Sequence, residues 1–252
     1  VITANFNKIT SQNNIALGNH LFQYVLCRLV SEKKGYNFYL TPENYIVKCF
    51  KDVEIGVNDG EIQHEYIENF TQAHDSSIFN LHDFTNLVGY FQTEKYFLDD
   101  EDNIKSWFKV EVDSETQEVL DKYPLENYCY IHLRGGDYKI TNQLLPKTYF
   151  IEAMNLVKTK YCQLSFVIIT DDIELSKSYF PEIDAISNDV VTDFKSLYFS
   201  KYSIISNSSF SWWSSWLSDK IVTIAPKKWL NYNQPSMGWH PIDIETSKFI
   251  YI

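Results

Sequence analysis

Of the 22 basic residues in the chain, only Arg28 and Arg134 are arginine, and Arg134 stands inside the segment YIHLRGGDY (130–138). A guanidinium presents a planar fork of donors and stays charged at any working pH, which suits it to a phosphate or a carboxylate. Gly135 and Gly136 follow it, and bare backbone there lets a ligand approach closely. The plainer reading is a strand-end arginine paired with Asp137, three residues on. A second cluster is SIISNSSFSWWSSWL (203–217). It reads as a strand, a tight polar turn and a helix opening near Ser209. Ser208 and its neighbours would cap that helix, or its free N–H groups and dipole would hold an anion. Trp212, Trp213 and Trp216 lie at helical spacing and read as core. A third cluster, Asp171 and Asp172, fits a divalent metal poorly without further ligands, and otherwise fits a ribose or the cap of the next helix.

These groups need a frame that brings them together. From about Asn127, short apolar runs (YCYIHL, LSFVIIT, DAIS, YSIIS, IVTIAP) alternate with helical segments at Pro146–Val157, Ile173–Tyr179, Phe194–Ser200 and Phe210–Leu217. That alternation predicts a parallel, Rossmann-like sheet. Such sheets bind ligands off the carboxyl ends of their strands, where His132, Arg134, Asp137, Asp171, Asp172 and Ser206–Ser209 all fall. Upstream, NNIALGNH reads as a loop before an amphipathic helix of about four turns, with Leu21, Phe22, Val25, Leu26, Leu29 and Val30 on one face. Gly35 ends it, and GYNFYL reads as a strand. DNIKSWFKV reads as helical. The domain boundary is expected near Pro124.

Composition narrows the chemistry. The net charge is −11, which argues against a grip on nucleic acid backbone. The four cysteines lack zinc spacing and read as reduced thiols. No GxGxxG, P-loop, GxSxG or HExxH pattern occurs. The longest apolar run is far short of a membrane span and no signal peptide is visible. A cytoplasmic setting is expected, and a sequon at Asn207 inside the serine-rich motif agrees with it. The chain begins at Val1, which leaves room for an upstream anchor.

Taken in order, IALGNHLFQYVLCRL, GYFQTEKYF, YIHLRGGDY, FVIITDD and ISNSSFSWWSSWL resemble the α-1,2-fucosyltransferases of glycosyltransferase family 11, over nearly the whole chain. The resemblance implies an α/β, GT-B-like architecture of two Rossmann-like domains facing a donor/acceptor cleft. Residues 1–124 would form the acceptor side and 125–252 the GDP-sugar side. It implies GDP-β-L-fucose as donor, inversion at the anomeric carbon, no essential metal or other cofactor, and a galactose-type hydroxyl of a glycan as acceptor. A lipid-linked acceptor would be met at a membrane surface. The alternatives are another GDP-sugar such as GDP-mannose or GDP-rhamnose, another linkage, or a catalytically weak nucleotide- or glycan-binding module.

The resemblance also implies roles. Arg134 would hold the donor diphosphate, with His132 beside the nucleotide and Asp137 supporting the loop. Asp171 and Asp172 would lie near the nucleoside, Asp193 would read guanine, and Ser208 and Ser209 would meet phosphate. Gly18 and Asn19 would face the diphosphate from the other domain. Two positions depart from the family pattern: Gly135 stands where a second arginine is usual, and His20 follows Gly18-Asn19 where glutamine is usual. Lys139 is the lysine placed to compensate for the first. His20 is the expected base for the acceptor hydroxyl, and Asp137 a nominal second candidate.

Overall fold

The computed structural model describes residues 1–4, 17–69, 71–229 and 241–252. It divides into two compact units, Val1–Glu111 with Pro241–Glu245, and Val112–His240 with Thr246–Ile252. Each unit carries its own parallel sheet.

The first unit contains β1 (Ile2–Ala4), α1 (Leu17–Lys34), α2 (Tyr45–Cys49), β2 (His64–Ile67), β3 (Thr85–Val88) and α3 (Glu101–Trp107). Its strands run parallel in the order β1-β3-β2. All six apolar positions predicted for α1 are buried, at 2% exposure or less. Gly35, at φ +70°, ends the helix in a backbone region that only glycine enters without strain. Gly18, Asn19 and His20 lie in the first described turn of α1 and not in a loop; residues 13–16 of the expected loop fall outside the described residues. GYNFYL is not a regular strand. Phe38 and Tyr39 make only single bridges, to Ile2 and Gly56.

The second unit contains α4 (Ser114–Lys122), β4 (Tyr128–Leu133), α5 (Lys147–Lys160), β5 (Ser165–Thr170), α6 (Ile173–Tyr179), β6 (Ala185–Ile186), α7 (Val190–Phe199), β7 (Tyr202–Ile204), α8 (Ser209–Trp216), β8 (Val222–Ala225) and β9 (Ile250–Tyr251). All strands are parallel, in the order β6-β5-β4-β7-β8-β9. This is the doubly wound arrangement, and strand order reverses between β4 and β7. Alternation along the strands makes the two cores. Cys129, Ile131, Leu133 and Ile168 pack with Tyr149, Phe150 and Ala153 of α5. Tyr130, Val167 and Ile169 pack with Val119 of α4 and Leu197 of α7. Because α4 belongs to this second core, the unit limit falls between Glu111 and Val112, ahead of Pro124. The α7 helix begins at Val190, earlier than its apolar residues suggest, because Asp189 caps it through the N–H groups of Val191 and Thr192. The three tryptophans of α8 are fully buried.

All four cysteines are free, and only Cys162 is exposed. Among the described residues, no helix is long and apolar enough to cross a membrane.

The far end of α7 depends on one side chain. Lys220 Nζ donates to the carbonyls of Leu197, Tyr198 (2.9 Å) and Ser200 (2.7 Å), and to the Ser200 hydroxyl (3.0 Å). These are terminal acceptors that the helix itself leaves unmet. Lys220→Met is expected to lower unfolding free energy by about 1–3 kcal/mol, read as a lower urea midpoint at unchanged slope.

Candidate functional site

The candidate site is built where β4 and β7 part. Ser206 follows β7, and its hydroxyl donates to the His132 carbonyl (2.7 Å) and accepts from the Arg134 N–H (3.0 Å). One buried side chain therefore sets the backbone at which β4 ends and Arg134 leaves it. The loop after β5 joins the same set, since Asp171 Oδ1 accepts from the Gly135 N–H at 2.7 Å. Tyr138 donates its hydroxyl to the Asn207 carbonyl (2.9 Å), and Asn207 Nδ2 donates to the Gln143 carbonyl (3.1 Å). Asn207 is 1% exposed, so its sequon is closed in the folded chain.

Arg134 is held by two carboxylates, Asp137 Oδ1 and Asp171 Oδ2, each at 2.7 Å. Its Cζ lies 5.5 Å from the centre of the Tyr138 ring. The pair with Asp137 that the spacing allows is thus made, alongside a second one. Asp137 is 60% exposed and Asp171 31%, so exchange of these partners for an anionic ligand costs little. Lys139 Nζ pairs with Asp172 Oδ2. Asp172 also caps α6, accepting from the Leu175 N–H at 2.9 Å, so the capping reading of this residue is made. Glycine at 135 is required by close approach: a Cβ there would stand 2.4 Å from the Cβ of Asp172.

The start of α8 supplies a second feature. Ser208 is the residue at its N-cap but makes no side-chain capping bond, so the expected cap is not formed. The helix carries no acidic residue in its first turn. Its Phe210 ring lies 5.4 Å from the His132 ring. Burial, with help from the nearby Arg134, pushes the His132 pKa down to about 3, so this imidazole is neutral. Its Nδ1 is buried and has no partner.

Asp193 sits in the first turn of α7 at 8% exposure. Its Oδ1 accepts from Asn188 Nδ2 at 2.9 Å, and its two oxygens share the Asn188 N–H at 3.2 and 3.3 Å. Burial pushes its pKa up to about 7, with the charges of Asp189 and Asp171 adding to the effect. A cavity of about 420 Å³ opens beside it, lined by Asn188, Asp189, Thr192, Val119, Tyr123 and Ile186 among others. Asn188 shares in both features, and nothing in the sequence distinguishes it from any other asparagine of a turn.

In the first unit, Asn19 Oδ1 accepts from Gln92 Nε2 at 2.8 Å. His20 is 7% exposed, and burial lowers its pKa to about 4. Its Nδ1 lies 3.1 Å from Asn44 Nδ2. The Asn44 carbonyl oxygen is committed to the Ile46 N–H at 3.0 Å, which fixes the amide orientation. Nδ1 therefore accepts, and the ring proton sits on Nε2. A carboxylate outside the sequence-predicted set, Glu68, accepts from the N–H groups of Tyr90 (2.7 Å) and Phe91 (2.8 Å) just past the carboxyl ends of β2 and β3. Its only sequence signal is its place after a strand and before the GYFQ segment. Among the described residues, no group of three or more His, Cys, Asp or Glu side chains is placed to hold a metal ion.

The family model for glycosyl transferase family 11 matches residues 57–247. An α-1,2-colitosyltransferase of Escherichia coli is 33% identical over 159 residues, covering 56% of this chain and 55% of the relative. The O-antigen biosynthesis glycosyltransferase WbnK of Escherichia coli is 30% identical over 127 residues, covering 44% and 41%. The chain thus spans about half the length of the curated relatives it matches. The crystal structure of the α-1,6-fucosyltransferase NodZ, soaked with GDP-fucose, superposes with a TM-score of 0.54 at 11% identity, covering 93% of this chain and 96% of that one. That likeness identifies the GT-B fold.

Two outcomes are expected from this geometry. Gly135→Ala forces the loop off Asp172 and is expected to cost about 1–3 kcal/mol, measured by chemical denaturation. For Asp193 the sign follows from its raised pKa. Burying the carboxyl costs nothing below the unfolded value near 3.8; the cost grows between there and about 7, and is full above. Asp193→Asn is therefore expected to be more stable than the wild type at pH 8, by on the order of 2–4 kcal/mol, with the gain fading by pH 4.

Proposed function

The chain belongs to glycosyl transferase family 11, and we propose that it is an inverting α-1,2-glycosyltransferase. It would move L-fucose from GDP-β-L-fucose to a galactose-type hydroxyl of a glycan. The observation that carries this reading is the guanidinium of Arg134, fixed where strand order reverses and close in the chain fold to the uncapped start of α8. As the bond to the anomeric carbon breaks, negative charge grows on the β-phosphate of the leaving GDP. A preorganised guanidinium and a helix N-terminus supply positive field for that charge. The sugar passes through an oxocarbenium-like state, as in other glycosyl chemistry. Lys139, 45% exposed on Asp172, adds a second cation to the same loop. Asp193 offers a carboxylate to the N1–H and 2-amino group of guanine, a match available only once it is ionised.

A second donor has specific support. The relative at 33% identity is named a colitosyltransferase, and colitose is L-fucose without its 3-hydroxyl. The two sugars separate sharply by chemistry. A site that hydrogen-bonds the 3-hydroxyl rejects the deoxy analogue by about 10⁴-fold or more, whereas a site that leaves it in solvent takes both within about 10–200-fold. The acceptor glycan, a lipid-linked or O-antigen-type saccharide in a cytoplasmic setting, follows by analogy with the second relative, named for O-antigen biosynthesis.

Product analysis with GDP-fucose and GDP-colitose against a panel of galactosides tests the reaction directly. The α-1,2-linked product is expected, and GDP binding without any transfer would favour the binding-module alternative. Arg134→Lys is expected to cut kcat/KM by about a hundredfold or more; a near-wild-type rate would show that Arg134 does not stabilise the leaving diphosphate.

A further inference from the structure

The transfer needs a proton acceptor for the attacking hydroxyl, and the first unit contains a carboxylate built for that work. Glu68 lies immediately after β2, with its own N–H donating to the Val88 carbonyl at the end of β3 (2.8 Å). It therefore stands at the carboxyl edge of a parallel sheet, where α/β folds meet their ligands. Its seat is tightly specified. Oε2 accepts from the Tyr90 N–H and Oε1 from the Phe91 N–H, so both oxygens are oriented by backbone. A Cβ on Gly89 would lie 2.3 Å from the Cβ of Glu68 and 2.6 Å from Oε2; only glycine, at φ +155°, lets the loop close around it. Gln23 holds that loop from α1, donating to the Gly89 carbonyl at 2.6 Å. A carboxylate has about four lone-pair sites, and the two backbone bonds leave one on each oxygen. The side chain is half-buried, not sealed.

His20 is less suited to the same task, because the lone pair on Nδ1 is taken by Asn44 and Nε2 carries the proton. Resting on the glycosyltransferase reading above, we propose that Glu68 is the general base that takes the proton of the acceptor hydroxyl. The step balances without a co-reactant. The hydroxyl proton passes to a Glu68 oxygen, the acceptor oxygen bonds to the anomeric carbon, and the bond from that carbon to the β-phosphate oxygen breaks with its electron pair leaving on GDP. Burial raises the Glu68 pKa, against the opposing effect of its two backbone bonds, which moves its basicity toward neutral pH.

The groups around it leave its titration readable. Burial pushes Tyr66 up to about 12 and Tyr96 higher still, so neither ionises near neutrality. The hydrogen bond from Tyr66 and those from Ser77 lower Asp75, which stays ionised. His20, at about 4, is neutral. His74, whose ring lies 4.7 Å from that of Tyr96, is the control, as His74→Gln.

The experiment compares wild type, Glu68→Gln, Glu68→Asp and His74→Gln for GDP affinity by calorimetry and for transfer across pH 5–9. Glu68→Gln is expected to lose about 10²–10⁴-fold in kcat, to bind GDP within about threefold of wild type, and to lack the acidic limb of the kcat/KM profile. Wild type and His74→Gln keep that limb. Should Glu68→Gln fail to fold, Glu68→Asp decides, with a reduced kcat and a displaced acidic limb expected. Transfer at wild-type rate by Glu68→Gln, or an acidic limb unmoved in Glu68→Asp, overturns the assignment while leaving the donor reading intact. A wild-type chain that neither binds GDP nor transfers a sugar overturns the reading beneath both.

Discussion

The hydroxyl of Ser206 is the point on which the second unit's site turns. Where strand order reverses, the polar ends of β4 and β7 must be satisfied without help from a neighbouring connection. Ser206 meets both needs at once, giving its proton to the His132 carbonyl and its lone pair to the Arg134 N–H. It is 1% exposed, so water does not compete for these bonds. The consequence is geometric. The direction in which Arg134 leaves its strand is set by the sheet itself, and the guanidinium inherits the rigidity of β4 rather than that of a surface loop.

That rigidity explains how an acidic chain can host a site for a polyanion. Arg134 and Lys139 are not left to roam; each is held in advance by aspartates on the same loops. The cations stay close to their working positions, and the partners that hold them are exposed enough to be exchanged at small cost. The start of α8 works differently. It brings partial positive charge through backbone N–H groups, needs no counterion, and is fixed by three buried tryptophans behind it. The field at this edge is therefore local, and a net charge of −11 spread over the chain does not cancel it.

Much of the second unit was legible in the sequence because its strands are buried on both faces and read as continuous apolar runs. The polar residues after those runs then fall at one edge by topology alone, which is what groups Arg134, Asp171 and the serine-rich turn. The first unit is harder to read for a physical reason. Its strands are three or four residues long, too short for a periodicity to show, and β2 is largely exposed. GYNFYL carries the residues of a strand, yet pairs only through single bridges, since tertiary placement and not propensity decides such segments. The Gly18-Asn19-His20 stretch looks like a loop because glycine and asparagine are poor helix formers, but His20, Leu21 and Phe22 are buried, and packing outweighs a fraction of a kcal/mol of propensity per residue. Glu68 is invisible in the sequence, because nothing in a lone glutamate announces two backbone donors from a loop more than twenty residues away.

The departure at position 135 follows from the same economy of space. Asp172 caps α6 and holds Lys139, and its Cβ occupies the volume that any side chain at 135 would need. A second arginine beside Arg134 is therefore incompatible with this placement of Asp172. A cation brought in from residue 139 is not, because it approaches the carboxylate from the far side of the short helical turn at Gly136–Lys139. Gly135, Asp172 and Lys139 form one coupled solution: the glycine makes room, the aspartate fills it, and the lysine restores the charge that the missing side chain would have carried.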